Sequence, residues 1–318
     1  MNRQSVIAFI VIAFLFLTLP LSIAAQQPSI NYDDVAMLRW YSANLTATFP
    51  AGQNPIAVAF DGAHIWVANY GSASVTELQA NDGKIVGTFS AGPKPYGLAY
   101  DGANLWVANG SGSTVTKLRA SDGALLGTYH LFGSSSRPGI AFDGSNIWVP
   151  LPNRVTKLRA SDGAEVGRFA VNGTAFAIAF DGVNAWVTTW DSNAVTKLRG
   201  SDGAVLGSYP VGSSPYGIAF DGANLWVANY GSNDVTELRA SDGAVLGTFP
   251  AGSGPTGVAF DGTNIWVTNQ NSNNVTKLRA SDGANLGTFS VGSHPWGIAF
   301  DGANIWVANF WNNFVSKR

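Results

Sequence analysis

Short apolar segments alternate with glycine-containing polar turns along most of the chain, and residues 215–250 show the unit. Tyr216–Phe220 is apolar on both faces, Asn224–Asn229 is mostly apolar, Val235–Arg239 alternates apolar and polar residues, and Val245–Phe249 follows. The Asp-Gly-Ala-Asn and Ser-Asp-Gly-Ala connections are typical of hairpin turns, because glycine accepts the positive φ that such turns need. The pattern predicts four short antiparallel strands, A to D. Strand A is expected to be buried between neighbouring sheets, and strand C is expected nearer the outside.

This unit recurs with a period of about 40 residues. An Asp-Gly pair stands five residues before a tryptophan seven times, at successive spacings of 40, 42, 38, 40, 40 and 40 residues. Four strands in such a period are typical of a propeller blade. The sequence therefore predicts an all-β fold, a seven-bladed β-propeller with four-stranded antiparallel blades. We number the repeats 1 to 7 by their tryptophans, which are Trp66, Trp106, Trp148, Trp186, Trp226, Trp266 and Trp306.

Both ends of the chain fall within a repeat. Val35–Phe49 aligns without a gap with Val235–Phe249, which covers strands C and D, and the chain reaches Arg318 after strands A, B and a short C. We therefore predict that the N- and C-terminal segments share one blade and close the ring, which protects the sheet edges. Val35–Arg39 and Val315–Arg318 both fit strand C of that blade, and the sequence does not decide between them.

The first 25 residues have the pattern of a secretory signal. Arg3 precedes an almost unbroken apolar run, Val6–Leu21, and small residues suited to cleavage follow at Ser22–Ala25. The alternative is an uncleaved membrane anchor, which would be the chain's one membrane contact; a lipoprotein anchor is excluded because no cysteine follows. We expect residues 1–25 to be a signal peptide, 26–34 a short linker and 35–318 the propeller. The protein is then exported to the periplasm, the cell surface or the medium.

The repeat sequence resembles a known family. Pro215–Val235 is similar to the YVTN repeat of YncE-like and surface-layer β-propellers in its Pro-x-Gly, Asp-Gly, (Tyr/Trp)-Val-Ala-Asn and Ser-Asn-x-Val motifs. The resemblance extends over roughly residues 35–318. A weaker similarity, through Pro-x-Gly-Ile and Asp-Gly-x-x-Trp, connects the chain with NHL and streptogramin B lyase propellers. The resemblance implies a seven-bladed binding or scaffold propeller, often exported, and implies no shared reaction.

Composition narrows the possible functions. The 318 residues are 46% hydrophobic and 12% charged, with 11 tryptophans, three histidines and no cysteine. The absence of cysteine excludes a disulfide scaffold, a thiolate metal site and a cysteine nucleophile. A net charge of −2 provides no basic surface for nucleic acid.

The D–A and B–C loops of a propeller share one face, at the mouth of the central channel, and this face is the predicted binding site. Its sequence is rich in aromatic and amide residues and poor in charge. Aromatic faces stack on sugar rings or apolar side chains while amides fix orientation. The alternative is that the aromatic residues cap the blade ends and pack on their neighbours. The candidate ligand-binding residues are Tyr96, Phe176, Trp190, Tyr216, Trp296, Phe310, Trp311, Asn229, Asn269 and Asn309.

Repeat 3 is irregular on the same face. Its B–C turn, Pro150–Arg154, is two residues short, and the D–A loop before it, His130–Arg137, is two residues long. Loop irregularity on one face of a repeat ring is where binding specificity is expected. Neutral drift is the competing interpretation.

The sequence offers little for catalysis. His64 falls in an A–B turn on the opposite face, while His130 and His294 belong to mouth loops of well-separated blades. The mouth loops carry two carboxylates, Asp191 and Asp234, and the Asp-Gly turns lack the alternating acidic ligands of a calcium loop. We therefore predict no catalytic residue, no metal site and no cofactor.

Three functions remain open at this point. The first is a non-enzymatic, monomeric binding scaffold that takes a glycan, peptide or protein at the aromatic mouth. The second is an enzyme of the streptogramin B lyase or lactonase type. The third is a structural component of a surface layer.

Overall fold

The computed structural model describes residues 46–133 and 139–318, and these residues contain 26 strands. The strands are β1 (Ala47–Pro50), β2 (Pro55–Phe60), β3 (His64–Asn69), β4 (Ser74–Gln79), β5 (Ile85–Ser90), β6 (Pro95–Tyr100), β7 (Asn104–Asn109), β8 (Thr114–Arg119), β9 (Leu125–His130), β10 (Ala141–Phe142), β11 (Asn146–Arg159), β12 (Glu165–Phe180), β13 (Asn184–Thr189), β14 (Ala194–Arg199), β15 (Val205–Pro210), β16 (Pro215–Phe220), β17 (Asn224–Asn229), β18 (Asp234–Arg239), β19 (Val245–Pro250), β20 (Pro255–Phe260), β21 (Asn264–Asn269), β22 (Asn274–Arg279), β23 (Asn285–Ser290), β24 (Pro295–Phe300), β25 (Ile305–Asn309) and β26 (Phe314–Lys317).

The strands form six antiparallel sheets, five with four strands and one with six. In each four-stranded sheet strand A is innermost and strand D outermost, as in β2–β3–β4–β5. The innermost strands of successive repeats contact one another around a ring that returns from β24 to β2. The described residues are therefore an all-β propeller with four-stranded antiparallel blades.

The sequence predicts seven blades, but the structure has six sheets. Counted by hydrogen-bonded sheets, the described residues form six blades rather than seven, because repeats 3 and 4 join in one six-stranded sheet, β10 to β15. The shortened turn of repeat 3 is the cause: β11 runs through it as one 14-residue strand, and β12 continues from strand D of repeat 3 into strand A of repeat 4. The cross-strand pair Pro152–Thr174 bridges what would be two separate loops.

The closing sheet has the strand order β1–β26–β25–β24. β26 lies between β1 and β25, with Thr48 and Val307 both opposite Ser316. The C-terminal segment therefore supplies strand C of the blade that the two termini share. Val35–Arg39, the other candidate, lies outside the described residues.

Burial differs from the prediction for strands A and C. The C strands are almost fully buried, since β8 is covered along its length apart from Arg119, while the A strands are only partly buried because they line the channel. The buried polar residues of β8 have hydrogen-bond partners inside: Thr116 donates to the Ala91 carbonyl at 2.9 Å, and Lys117 donates to the Ala160 carbonyl at 2.7 Å. The outermost strands, such as β9, are the exposed ones.

The repeated tryptophan forms the core between each repeat and the next. Trp66 packs on Leu105 and Val107 of repeat 2, and the same arrangement recurs for the other repeats. Trp306 of repeat 7 packs on Ile65 and Val67 of repeat 1, which closes the ring with an apolar core as well as with hydrogen bonds.

Each indole is also held by the aspartate of its own repeat. Trp106 Nε1 donates to Asp101 Oδ2 at 2.7 Å, and the other repeats have the same bond at 2.6–2.8 Å. The other oxygen of Asp101 accepts the backbone N–H groups of Ala103 and Asn104, which closes the A–B turn. This arrangement gives the Asp-Gly and Trp-Val motifs a structural role in every repeat.

The predicted signal peptide and linker, residues 1–34, lie outside the described residues. Within 46–133 and 139–318, no helix has the length and apolar character needed to cross a bilayer.

Candidate functional site

Hydrogen bonds between the D–A and B–C loops build the channel mouth. In repeat 1, Tyr70 and Gly71 donate backbone N–H groups to the carbonyls of Asn54 and Gln53, at 3.0 and 2.9 Å. Repeat 5 has the same pair of bonds between its B–C turn and the preceding loop. The predicted meeting of these two loop sets on one face is therefore present. The loops bring the residue inside Pro-x-Gly next to the residue that begins the B–C turn.

Eight rings at this mouth form one continuous network, which we call the aromatic cluster. Adjacent ring centroids lie 4.6–6.4 Å apart, in tilted or edge-on arrangements. Such separations are those of interacting aromatic pairs. The members are Tyr70, Tyr96, Phe176, Trp190, Tyr216, Tyr230, Trp296 and Phe310.

The cluster crosses the channel rather than following its rim. Tyr96 of repeat 2 and Tyr216 of repeat 5 are 120 residues apart, and their hydroxyl oxygens lie 3.1 Å from each other. Trp296 of repeat 7 contacts both rings edge-on, at 5.9 and 5.3 Å. Tyr216 is the centre of the cluster and is only 6% exposed, while its partners are partly exposed. The mouth is therefore a partly exposed aromatic platform.

Trp311 does not belong to this cluster. Its side chain is 60% exposed and stacks on the imidazole of His294. It is the most accessible of the candidate aromatic residues, but it lies on the loop edge rather than in the platform.

The candidate asparagines have an internal role. Asn229, Asn269 and Asn309 are fully buried. Their Nδ2 groups donate across the B–C turn, in Asn229 to Asp234 Oδ1 at 2.7 Å and to Thr236 Oγ1 at 2.8 Å. The structure therefore presents their amides to the turn and not to the platform, because the fold itself needs them to bridge strands B and C.

Few charges stand near the platform. Lys94 Nζ lies 5.5 Å from the centre of the Tyr70 ring. Asp191 accepts from the backbone N–H and hydroxyl of Thr174, at 2.7 and 3.0 Å, and these bonds lower its pKa. Asp234 accepts from Asn229 and Ser232. Both predicted mouth carboxylates therefore take part in loop hydrogen bonds.

The two histidines of the mouth loops have separate surroundings. His130 ends β9 and pairs with Thr114, whereas His294 stacks on Trp311, and burial lowers its pKa. Within the described residues, neither imidazole forms an ion pair with a carboxylate. Among the residues that the structure describes, the geometry provides no histidine–carboxylate pair for proton transfer at the mouth.

One cluster of ionisable residues was missed by the sequence analysis. Asp61, His64 and Glu77 lie at the other ends of the strands, with their ligand atoms within 4.8 Å of one another. The sequence contains a signal for it: His64 stands where all six other repeats have asparagine, and Glu77 stands where five other repeats have lysine.

Comparisons with known proteins concern the fold. The chain matches no protein-family model and no curated protein, so the YVTN/YncE resemblance has no support from these comparisons. Among solved structures it is similar to hydrazine synthase of Kuenenia stuttgartiensis, with a TM-score of 0.75 and 18% identity over 83% of this chain and 95% of that one.

Two lyase structures are similar to nearly the same extent. Virginiamycin B lyase from Staphylococcus aureus gives a TM-score of 0.73 at 20% identity, covering 86% of this chain and 98% of the lyase. A streptogramin B lyase structure gives 0.72 at 19%, covering 86% and 96%. At these identities the likeness extends to the architecture and not to the activity: the chain has a β-propeller fold of the kind found in streptogramin B lyases.

Proposed function

We propose that this chain is an exported, non-enzymatic binding propeller whose aromatic cluster takes an uncharged, ring-containing ligand, best a glycan. The observation that carries the proposal is the continuous aromatic platform at the mouth, which joins repeats 1, 2, 4, 5 and 7. Sugar rings stack on aromatic faces, and tyrosine hydroxyls at the edges supply hydrogen bonds. The low charge around the platform favours such a ligand over an ionic one.

The partial exposure of the platform supports a binding role beside its packing role. Trp190, Trp296 and Phe310 each keep part of their surface open although they touch two or more other rings. Aromatic residues in a preformed surface make good binding anchors because they lose little conformational entropy when a ligand arrives.

We also propose that the six-stranded sheet acts as two blades, so that seven repeats surround the mouth. Support comes from the apolar cores: Trp148 of repeat 3 packs on Ala185 and Val187 of repeat 4, as every other repeat tryptophan packs on its successor. Export is proposed from the signal-like sequence of residues 1–25.

The other two functions have less support. The likeness to lyases is a likeness of fold, and the mouth has no histidine–carboxylate pair among the described residues. A surface-layer role would require self-assembly of the purified chain, which size-exclusion chromatography with light scattering would detect. A monomer at all concentrations would argue against that role.

A thermal-shift screen of uncharged oligosaccharides, neutral peptides and charged peptides tests the proposed function. We expect glycans to raise the melting temperature of the wild-type chain. Trp190→Ala should reduce the affinity for the same glycan at least about tenfold, as loss of an aromatic anchor does. Val183→Ala, at an exposed A–B turn on the other face, is the matched control and should bind normally. Stabilisation by peptides alone, or equal binding by both variants, would contradict the proposal.

A further inference from the structure

Three ligand-type side chains converge at the A–B end of repeat 1. His64 Nδ1 lies 3.3 Å from Asp61 Oδ2 and 3.3 Å from Glu77 Oε1. The Asp61 and Glu77 side chains are only 6% and 4% exposed, whereas His64 is 34% exposed and borders an open cleft of about 570 Å³. The cluster is therefore held by buried carboxylates and reached from solvent along the imidazole.

Five of the six other repeats place a lysine at the position of Glu77. A lysine there lies over the repeat tryptophan, with Nζ 4.5–5.1 Å from the ring centre. In four repeats its ammonium donates to a backbone carbonyl of the next repeat at 2.6–2.7 Å. These lysines are Lys117, Lys157, Lys197 and Lys317.

Repeat 1 keeps the surroundings of that cation but not the cation itself. These lysines and carbonyls are 43 residues apart in repeats 2 to 4, so the residue that corresponds to Glu77 by the same offset is Ala120, which also borders the cleft. Glu77 brings a second buried carboxylate to the place of the ammonium, and burial raises its pKa. Two buried carboxylates and a carbonyl oxygen without an ammonium group form a site of negative potential that a bound cation would balance.

We propose that Asp61, His64 and Glu77 bind a divalent transition-metal ion, best Zn²⁺, with the carbonyl oxygen of Ala120 next to them. Zn²⁺ takes imidazole and carboxylate ligands at about 2.0–2.2 Å, so two ligand atoms of a tetrahedral site lie about 3.3–3.6 Å apart. Both distances from His64 Nδ1 are at the short end of that range. The imidazole nitrogen favours Zn²⁺ over Ca²⁺ or Mg²⁺, which prefer oxygen ligands.

The surroundings also orient the ligands. Asp61 Oδ1 accepts the backbone N–H groups of Ala63 and His64, at 2.8 and 2.6 Å, and Trp66 Nε1 donates to Oδ2 at 2.8 Å. These bonds hold the carboxylate so that Oδ2 lies towards the imidazole. In known metal sites, groups that hydrogen-bond to the ligands orient them in the same way. The ion would connect the A–B turn and strand C of repeat 1, and its role would be structural.

Repeat 5 is an internal control. It also has two carboxylates, Asp221 and Glu237, but Asn224 stands in the place of His64 and donates Nδ2 to Glu237 Oε1 at 2.8 Å. This repeat lacks the nitrogen ligand, and its second carboxylate is already engaged. It should not bind Zn²⁺.

Isothermal titration of the EDTA-treated, purified chain with ZnCl₂ tests the site. We expect one Zn²⁺ per chain, and a loss of affinity of at least about tenfold in His64→Asn and Glu77→Gln. Glu237→Gln, the matched change in repeat 5, should bind as the wild type does. Glu77→Lys introduces the residue that five other repeats have, and the variant should fold, melt independently of Zn²⁺ and bind none.

Three results would overturn the proposal. The first is Zn²⁺ binding that persists unchanged in Glu77→Lys, which would place the ion elsewhere, for example at His130 or His294. The second is no saturable Zn²⁺ binding by the wild-type chain. Preferential binding of Ca²⁺ over Zn²⁺ would contradict the role of the imidazole as a ligand.

Discussion

At the residue scale, the positions that differ between repeats distinguish the mouth from the scaffold. Inside the Pro-x-Gly motif, Tyr96, Phe176, Tyr216 and Trp296 meet in the aromatic cluster. Thr256, at the same position in repeat 6, instead bonds within the fold, with its hydroxyl 3.0 Å from that of Thr268. One position of the repeat thus serves either the platform or the scaffold, depending on its side chain.

The contact between Tyr96 and Tyr216 across the channel leads to a residue-scale prediction. Tyr96→Phe and Tyr216→Phe should each lower the free energy of unfolding by about 0.5–1.5 kcal/mol, the usual net contribution of a hydrogen bond. Denaturant unfolding of the two single variants and the double variant should give a coupling of about 0.5–1 kcal/mol. Additive effects would mean that the two hydroxyls do not stabilise each other.

At the element scale, the C strands carry a lysine in five repeats and a glutamate in two, and each choice changes the electrostatics of a buried strand. Burial raises the pKa of Glu237, and Asp221 beside it raises that pKa further. A carboxyl whose folded pKa lies above its unfolded value lowers the stability of the fold as the pH rises from the unfolded to the folded value, and the loss is complete above the folded value. Glu237 in strand β18 therefore makes the fold less stable at neutral pH than at acid pH.

Glu237→Lys should stabilise the protein for this reason. The new ammonium would face Asp221 and the carbonyl of Ala280, as Lys197 faces the Ala240 carbonyl at 2.7 Å. Hydrogen bonds to charged groups contribute about 1.5–3 kcal/mol, so we expect a gain of about 1–3 kcal/mol in denaturant unfolding at pH 7. Glu237→Gln is the control and should gain less, because its neutral amide donates weaker hydrogen bonds than an ammonium group. A loss of stability in Glu237→Lys would contradict this account.

Most strands were predictable because turn chemistry is local. The Asp-Gly pairs and the 40-residue period predict where individual strands begin and end. For strand B of repeat 5 they predict Asn224–Asn229, and the structure has these same bounds. The junction of β11 and β12 was not predictable, because a turn two residues short permits either a tight loop or a continuous strand, and cross-strand pairing decides between them. The aromatic candidates could be predicted because their positions in the repeat place them in the D–A and B–C loops. The buried asparagines and the Asp61–His64–Glu77 cluster depend on side-chain directions that a linear pattern does not contain.

At the scale of the whole molecule, the ring is closed by repetition of one contact. The aspartate that holds each indole appears in every repeat, so a change that affects this carboxylate affects the whole ring at once. Burial alone would raise the pKa of Asp101, but hydrogen bonds from Trp106, Asn104 and the backbone outweigh that effect and lower it. The same direction holds for Asp61, Asp143, Asp181, Asp261 and Asp301.

Acid should therefore unfold the protein cooperatively. Each of these carboxyls has a folded pKa below the unfolded value of about 3.9, so its stabilising contribution is complete above that pH and is lost as the pH falls through the folded values. Far-UV circular dichroism should show a steep transition below about pH 4. Asp101→Asn retains an acceptor for the indole while removing one titrating group, and should make the transition less steep. Unfolding with a midpoint well above pH 4 would contradict the prediction.

The central claim is that the mouth of this propeller binds its ligand through the aromatic cluster, and a hydrogen-exchange footprint tests it most directly. Exchange of the wild-type chain would be compared with and without the glycan that gives the largest thermal shift. We predict slower exchange in the D–A and B–C loops and in the adjoining strand ends that carry Phe176, Trp190, Tyr216 and Trp296, and unchanged exchange in the A–B turns on the other face. Protection confined to the A–B turns, or no protection at a saturating glycan concentration, would contradict the account.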